Sequence, residues 1–413
     1  MSKRLNNFLC SNDILIMHQF GFRKSYSTEL AIVDMYDHLL EKLDNKDYTC
    51  AIFLDLAKAF DSVNHSILLA KLQKYGVRGI ALKLFESYLS NRWQYVKILN
   101  QESDLRLIDI GVPQGSILGP ILFLIYINDL PNATDCFVKL FADDTFLSLS
   151  CQKKADLQKK ANIEIENIRK WLFANKLTLN VDKSKFMIIS RRRDANHSFS
   201  LKINGEAVGR CSTYKYLGLI IDDKLDWKSH VNYICKKVSK ACGILSKLRH
   251  CINLDTLRTV YYALGYSYLR YGNIVWGNCS KTTIKPLAVI QNRIIKIMTF
   301  APFGRIDVDP VYLHLKLLDL NKIHYLEKAK FMFKYHKGSL PACFENYFQN
   351  QSRVNHGYNL RNRAINYHTG SQDSQNMMKN NGRAIWDTIP NDIKNSLNIK
   401  AFSKKLKTEI LLV

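Results

Sequence analysis

The sequence predicts an α+β fold over residues 1–226 and a mainly helical, basic region over 227–413. Three observations predict it. Short apolar runs rich in β-branched and aromatic residues, bounded by turn residues, recur through the first part and read as strands. Apolar residues at helical spacing mark a long helix between two of those runs. After Trp227 the strand pattern gives way to one apolar helical face, Val231, Ile234, Val238, Ala241, Leu245 and Leu248. Lys236, Lys237, Lys240, Lys247 and Arg249 supply a basic surface beside it.

Taken in order, "TCAIFLDL" (49–56) is a strand with Asp55 near its end. "RWQYVKIL" alternates apolar and polar residues and reads as a half-exposed strand. "DLRLIDIGVPQGS" is a strand ending in a Gly-Pro turn, followed by an apolar helix over 116–130. "FVKLFADDTFLSLS" is a strand, a tight acidic turn and a second strand. Leu157, Ala161, Ile165, Ile168 and Leu172 make the helix of 155–175 amphipathic, and "FMIIS" and "YKYLGLII" are further strands. Segments 255–270 and 284–299 are helical, and the Asn-, Gln-, Ser- and Gly-rich stretch around 350–380 is a loose loop.

With 47% hydrophobic residues, the 413-residue chain can bury a substantial core, which excludes a disordered polypeptide. The net charge of +24 favours a polyanionic partner. Membrane is the weaker choice, because the most apolar run, Ile117–Ile127, is too short to span a bilayer and contains Pro120. The N-terminus lacks a secretory pattern, so the expected location is intracellular, in nucleus or cytoplasm. Ten cysteines without a CxxC pair read as reduced thiols, and no Cys/His cluster has zinc spacing.

Against this basic background, Asp143 and Asp144 stand side by side between two apolar runs. A solvated hairpin turn is the bland explanation. If the strand ending in Asp55 is a neighbour, however, three carboxylates converge at one rim of a sheet. Such a cluster is repulsive unless divalent cations fill it, and two hard cations between aspartates and phosphates are what in-line phosphoryl transfer requires.

"HQFGFRKSYSTELAI", "AIFLDLAKAFDSV", "GVPQGSILGPILF", "KLFADDT", "LTLNVDKSKFMI" and "YKYLGLIID" occur in that order. This set resembles reverse transcriptases of non-long-terminal-repeat, jockey-like retrotransposons, and the closing "IWDTIP…FSKKLK" resembles the tail of those polyproteins. The resemblance implies a right-hand polymerase: an antiparallel palm sheet backed by helices, a partial fingers region, and a helical thumb and C-terminal region. On this reading the chain begins some way into the fingers, as an N-terminally truncated member of the family.

By the same resemblance Asp55, Asp143 and Asp144 bind two Mg2+ ions, with Mn2+ as a substitute, and the carbonyl of Leu56 completes a metal shell. Phe60 matches the aromatic gate that excludes a ribose 2′-hydroxyl; without that motif, ordinary core packing beside Ala57 is the preferred reading. Asp61 completes that motif, and a helix N-cap is its expected task. Gln114 and Gly115 match the turn beneath the incoming nucleotide and template, and Arg23 matches a fingers arginine that meets the triphosphate. Lys183 matches a lysine near the pyrophosphate leaving group, with Lys185 as its rival, and Gly218 lies in the hairpin that grips the primer. The implied partners are an RNA template, a DNA primer or duplex and deoxynucleoside triphosphates, with no membrane.

Two other readings compete. One is a catalytically inactive retrotransposon remnant that only binds nucleic acid; the other is an RNA-making polymerase or maturase on the same scaffold, against which Phe60 argues.

Overall fold

A computed structural model of the chain describes residues 1–192, 199–301, 307–348 and 371–412. Two compact units are present, residues 1–31 with 46–211 and residues 32–45 with 212–413. The chain passes between them at 31–32, 45–46 and 211–212; the last crossing lies ahead of the position expected near 226, because the hairpin before Trp227 is grouped with the helix after it. The carboxylate of Asp222 accepts the backbone N–H groups of Lys224, Asp226 and Trp227, which ties that hairpin to the helix Lys228–Leu248.

The first unit is built on a five-stranded sheet in the order Gly209–Arg210, Lys185–Ile189, Tyr48–Leu54, Asp144–Cys151, Phe137–Phe141. The four strands from Lys185–Ile189 to Phe137–Phe141 pair antiparallel, as predicted. The edge strand Gly209–Arg210 runs parallel to Lys185–Ile189, which the long connection between them permits. Tyr48–Leu54 is buried along its whole length because it has neighbours on both edges and both faces covered. On one face Cys50, Ile52, Leu54, Val138, Leu140, Leu147, Phe186 and Ile188 form a single core with Leu157, Ala161, Ile165, Ile168 and Leu172. Those last five are the buried positions of helix Lys154–Ala174, at the spacing read from the sequence. Helix Leu118–Ile127 is apolar all round and almost wholly buried.

Three elements differ from expectation. "RWQYVKIL" is split into the short strands Arg92–Gln94 and Lys97–Ile98, and Trp93, Val96 and Ile98 stay largely exposed. Arg92–Gln94 pairs with Arg106–Ile108 in a ribbon that is two-stranded among the described residues, so alternation here does not bring burial. The 255–270 helix contains a π turn, Tyr262–Tyr266, between Leu254–Tyr261 and Ser267–Arg270. Finally, the loop expected over 350–380 falls for the most part outside the described residues, but Gln372–Asn376 and Met378–Thr388 are helices. The second of these is capped from far away: the Asp37 carboxylate accepts the N–H groups of Met378 and Lys379. A cap supplied from more than three hundred residues upstream leaves no local signature.

In the second unit, helix Lys228–Leu248 buries His230, Val231, Ile234, Val238, Ala241, Cys242 and Leu245. Leu248, expected on that face, is only half-buried at the helix end. Lys236, Lys240 and Lys247 are exposed, and Lys237 lies over the Tyr233 ring. Among the described residues no helix is long and apolar enough to cross a membrane.

Candidate active site

The sheet register puts Asp55 and the Asp143–Asp144 turn at one end of the sheet. Leu54 pairs with Thr145 across antiparallel strands, so the next residue of one strand, Asp55, and the preceding residue of the other, Asp144, lie at the same sheet end. Phe141 pairs with Asp144, which leaves Ala142 and Asp143 as the two residues of a tight hairpin turn. Asp143 and Asp55 are half-buried and Asp144 is accessible to solvent. Crowding by protein at the sheet rim, then the charges of Asp143 and Asp55, push the Asp144 carboxyl up to about 6. Desolvation is the larger cause, and the charges of Asp143 and Asp55 add to it because the three carboxylates share one end of the sheet.

Asp55 is held by the loop that comes after the long helix. Its carbonyl accepts from the Asn180 N–H at 2.8 Å, and its own N–H donates to Ser184 Oγ at 3.2 Å. Ser184 Oγ in turn donates to the Asn180 carbonyl at 2.7 Å. This clasp brings Lys183 Nζ to 3.9 Å from Asp55 Oδ2. Lys183 is 71% exposed, so it remains free to meet a ligand there. Its rival Lys185 donates instead to the Asp182 carbonyl at 2.6 Å and packs against Gly209 at the sheet edge. Leu56 is buried and begins a two-residue strand paired with Thr178–Leu179.

The segment after Asp55 and the Pro-Gln-Gly turn are brought together by backbone pairing. Gly111 N–H donates to the Val63 carbonyl and Val112 N–H to the Phe60 carbonyl. Gly111 is required here, because a Cβ on it would stand 2.8 Å from the Asp61 carbonyl oxygen. Gln114 Nε2 then donates to Asp61 Oδ1 at 2.7 Å. Asp61 is therefore not the expected N-cap; Asn64 caps helix His65–Lys74 by accepting the Ile67 N–H. Gly115 adopts φ +75° on an exposed turn, with open space where a side chain would be. Phe60 is half-buried, stacked on Phe123 with ring centroids 4.5 Å apart and meeting Phe22 edge-on at 6.4 Å.

Arg23 donates through Nη1 to the carbonyls of Ile16 at 2.7 Å and Gln19 at 3.2 Å, and its guanidinium lies over the Tyr26 ring. Gly218 belongs to the second unit. It has φ +86° in the turn between strands Thr213–Tyr216 and Leu219–Asp222, where the Tyr271 hydroxyl donates to the Leu217 carbonyl at 2.6 Å. Residues that the sequence pattern does not single out include Asn180 and Ser184, which fix Asp55, and Gln19, which contacts the Asp143 turn. The last had one available signal, its place in the quoted "HQFGFR".

Among the described residues no three His, Cys, Asp or Glu side chains converge closely enough to hold a metal ion by themselves. The donor chemistry nevertheless suits a hard divalent cation. Three carboxylates at one rim repel one another, and Lys183 beside Asp55 shows that the site accepts positive charge. An ion bound there needs further oxygen ligands from water or phosphate.

The family profile described as "Reverse transcriptase (RNA-dependent DNA polymerase)" matches residues 1–221. A probable RNA-directed DNA polymerase from transposon BS of Drosophila melanogaster is 29% identical, with 73% of this chain and 34% of the relative aligned. The RNA-directed DNA polymerase from mobile element jockey of the same species is 27% identical over 72% of this chain and 34% of that protein. The chain thus spans about a third of the length of the curated relatives it matches. Among solved structures, apo telomerase from Candida tropicalis aligns with 82% of this chain and 60% of its own at 14% identity and a TM-score of 0.40. With the profile matched across more than half of the sequence, and with the matched region carrying the carboxylate rim, the chain belongs to the reverse transcriptase (RNA-dependent DNA polymerase) family.

Proposed function

We propose that this chain is the polymerase core of a retrotransposon reverse transcriptase, extending a DNA primer on an RNA template with deoxynucleoside triphosphates. The observation that carries the reading is the register-fixed placement of Asp55 beside the Asp143–Asp144 hairpin, with Lys183 3.9 Å from Asp55. The first unit takes the part of fingers and palm, and the second that of thumb and C-terminal region.

Asp55, Asp143 and Asp144, with the Leu56 carbonyl, would hold Mg2+, for which Mn2+ would substitute. Bound there, two such ions would lower the charge barrier to in-line attack of a primer hydroxyl on a triphosphate. The chain's own groups do the rest. Lys183 offsets charge on the departing pyrophosphate or donates a proton to it. Arg23 keeps guanidinium nitrogens beyond Nη1 for the triphosphate. Phe60, braced by Phe123, fills the space a 2′-hydroxyl needs. Gln114, oriented by Asp61, and Gly115 form the floor under the nascent base pair. The hairpin containing Gly218 grips the primer strand, and the exposed lysines of Lys228–Leu248 follow phosphates without reading sequence. A nuclear or cytoplasmic site of action suits these substrates.

The test is primer extension by the purified chain on a primed RNA. Wild type makes cDNA only with a divalent cation, and Asp143→Asn makes none. Synthesis by Asp143→Asn at the wild-type rate would overturn the proposal.

A further inference from the structure

We infer that Gln19 is a positioning residue for the catalytic hairpin, holding Ala142 in a conformation that aims Asp143. The inference rests on reading Asp143 and Asp144 as metal-binding carboxylates; the geometry behind it stands on its own.

Ala142 has φ +56°, a region that favours glycine, yet it occupies the residue before Asp143 in a two-residue turn. Its N–H donates to Gln19 Oε1 at 3.1 Å, and the same oxygen accepts the Gly21 N–H at 2.8 Å. Two backbone donors on one atom identify that atom as the amide oxygen. Gln19 is completely buried, and its Nε2 has no hydrogen-bond partner among the described residues. The hydrogen bonds that the Gln19 amide makes are those its oxygen accepts, from Gly21 and Ala142.

The surrounding backbone presses this oxygen into place. Phe20 N–H donates to the Leu140 carbonyl at 2.7 Å and Leu140 N–H to the His18 carbonyl at 2.9 Å, forming a parallel bridge beside the hairpin. A Cβ on Gly21 would lie 2.4 Å from the Ala142 nitrogen, so only glycine permits the approach. Arg23 Nη1 also donates to the Gln19 carbonyl, at 3.2 Å. The shape of the Asp143 turn is thus set by a side chain 123 residues earlier.

The test compares wild type with Gln19→Met, Ala142→Gly and the double variant in primer extension, alongside hydrogen exchange at the Ala142 amide. Methionine keeps the volume and removes the acceptor. Because a displacement of about 1 Å at reacting groups can cost about a hundredfold, Gln19→Met should lose turnover on that order while its nucleotide KM stays within about twofold. Glycine adopts positive φ without strain, so Ala142→Gly in the Gln19→Met background should restore about tenfold of the loss. The Ala142 amide should exchange faster in Gln19→Met. Wild-type turnover in Gln19→Met, or a loss that Ala142→Gly does not relieve, overturns the inference. Gly21→Ala, which keeps Gln19 and pushes one methyl against the Ala142 nitrogen, covers the case in which Gln19→Met does not fold; wild-type turnover there also overturns it. A wild-type chain that makes no cDNA sinks the polymerase reading alone, and unchanged Ala142 exchange in Gln19→Met then sinks this one.

Discussion

Lys183 Nζ stands 3.9 Å from Asp55 Oδ2 because the loop that carries the lysine is clasped at both ends, by Asn180 on the Asp55 carbonyl and Ser184 on the Asp55 amide. Lys183 is exposed and Asp55 only half-buried, so the pair's contribution to stability is small. On the proposed mechanism its importance lies in bringing one cation to the carboxylate rim. Lys183→Ala should lower turnover by about 10²–10⁴, the range for loss of a general acid, with an unchanged melting temperature. Lys183→Arg should recover the part due to charge alone. Primer-extension kinetics beside thermal melts check this; wild-type turnover in Lys183→Ala would remove the lysine from the mechanism.

Phe60 is expected to discriminate sugars. Phe60→Val should raise ribonucleotide incorporation relative to deoxynucleotide incorporation, measured as a ratio of kcat/KM values. Because the ring stacks on Phe123, the same change should also destabilise the chain, by about 1–2 kcal/mol for a half-buried ring. Loss of stability with no change in sugar preference would return Phe60 to a purely packing role.

The Gln114–Asp61 hydrogen bond offers an independent check on the floor of the site. Both residues are accessible, so Asp61→Asn should leave folding intact. If Asp61 orients Gln114, Asp61→Ala and Gln114→Ala should impair extension to similar extents, and the double variant should be no worse than either. Additive losses would show that the two act separately.

Acid should weaken the second unit through His230. Burial lowers its pKa to about 4, and Nδ1 accepts the Ile220 N–H, which requires the neutral ring. Between the ordinary histidine pKa and about 4, the unfolded chain binds a proton that the folded chain does not. Stability should therefore fall as pH drops through that window and level off above it. His324, lowered to about 3, adds to the slope, while Asp37, pushed up to about 6 by burial, opposes part of it. Urea melts of wild type and His230→Gln at several pH values test the point: the variant should show a shallower slope, and an identical slope would contradict the assignment.

The carboxylate rim is legible in the sequence because strand ends and a hairpin tip are local features, and the register that unites them comes from pairing two apolar runs. The long helix is legible because Leu157, Ala161, Ile165, Ile168 and Leu172 repeat at helical spacing. The features that escape depend on distant partners. Gln19 lies in the quoted "HQFGFR", but nothing there says that its side chain meets Ala142, and Asp37 gives no hint that it caps Met378–Thr388. Asp61 does not cap its helix because Asn64, three residues on, is the better-placed cap, which frees Asp61 for Gln114. The exposed ribbon around Trp93 alternates like a half-buried strand, but pattern alone does not say whether a second layer covers it.

The central claim is that Asp55 and the Asp143–Asp144 turn serve one set of ions. Manganese binding, monitored by electron paramagnetic resonance on the chain with a dideoxy-terminated primer, RNA template and next nucleotide, tests it most directly. Asp55→Asn and Asp143→Asn should each weaken the same bound manganese signal seen in wild type. A wild-type chain that binds no manganese under these conditions, or an Asp55→Asn variant that binds it as wild type does, would contradict the account.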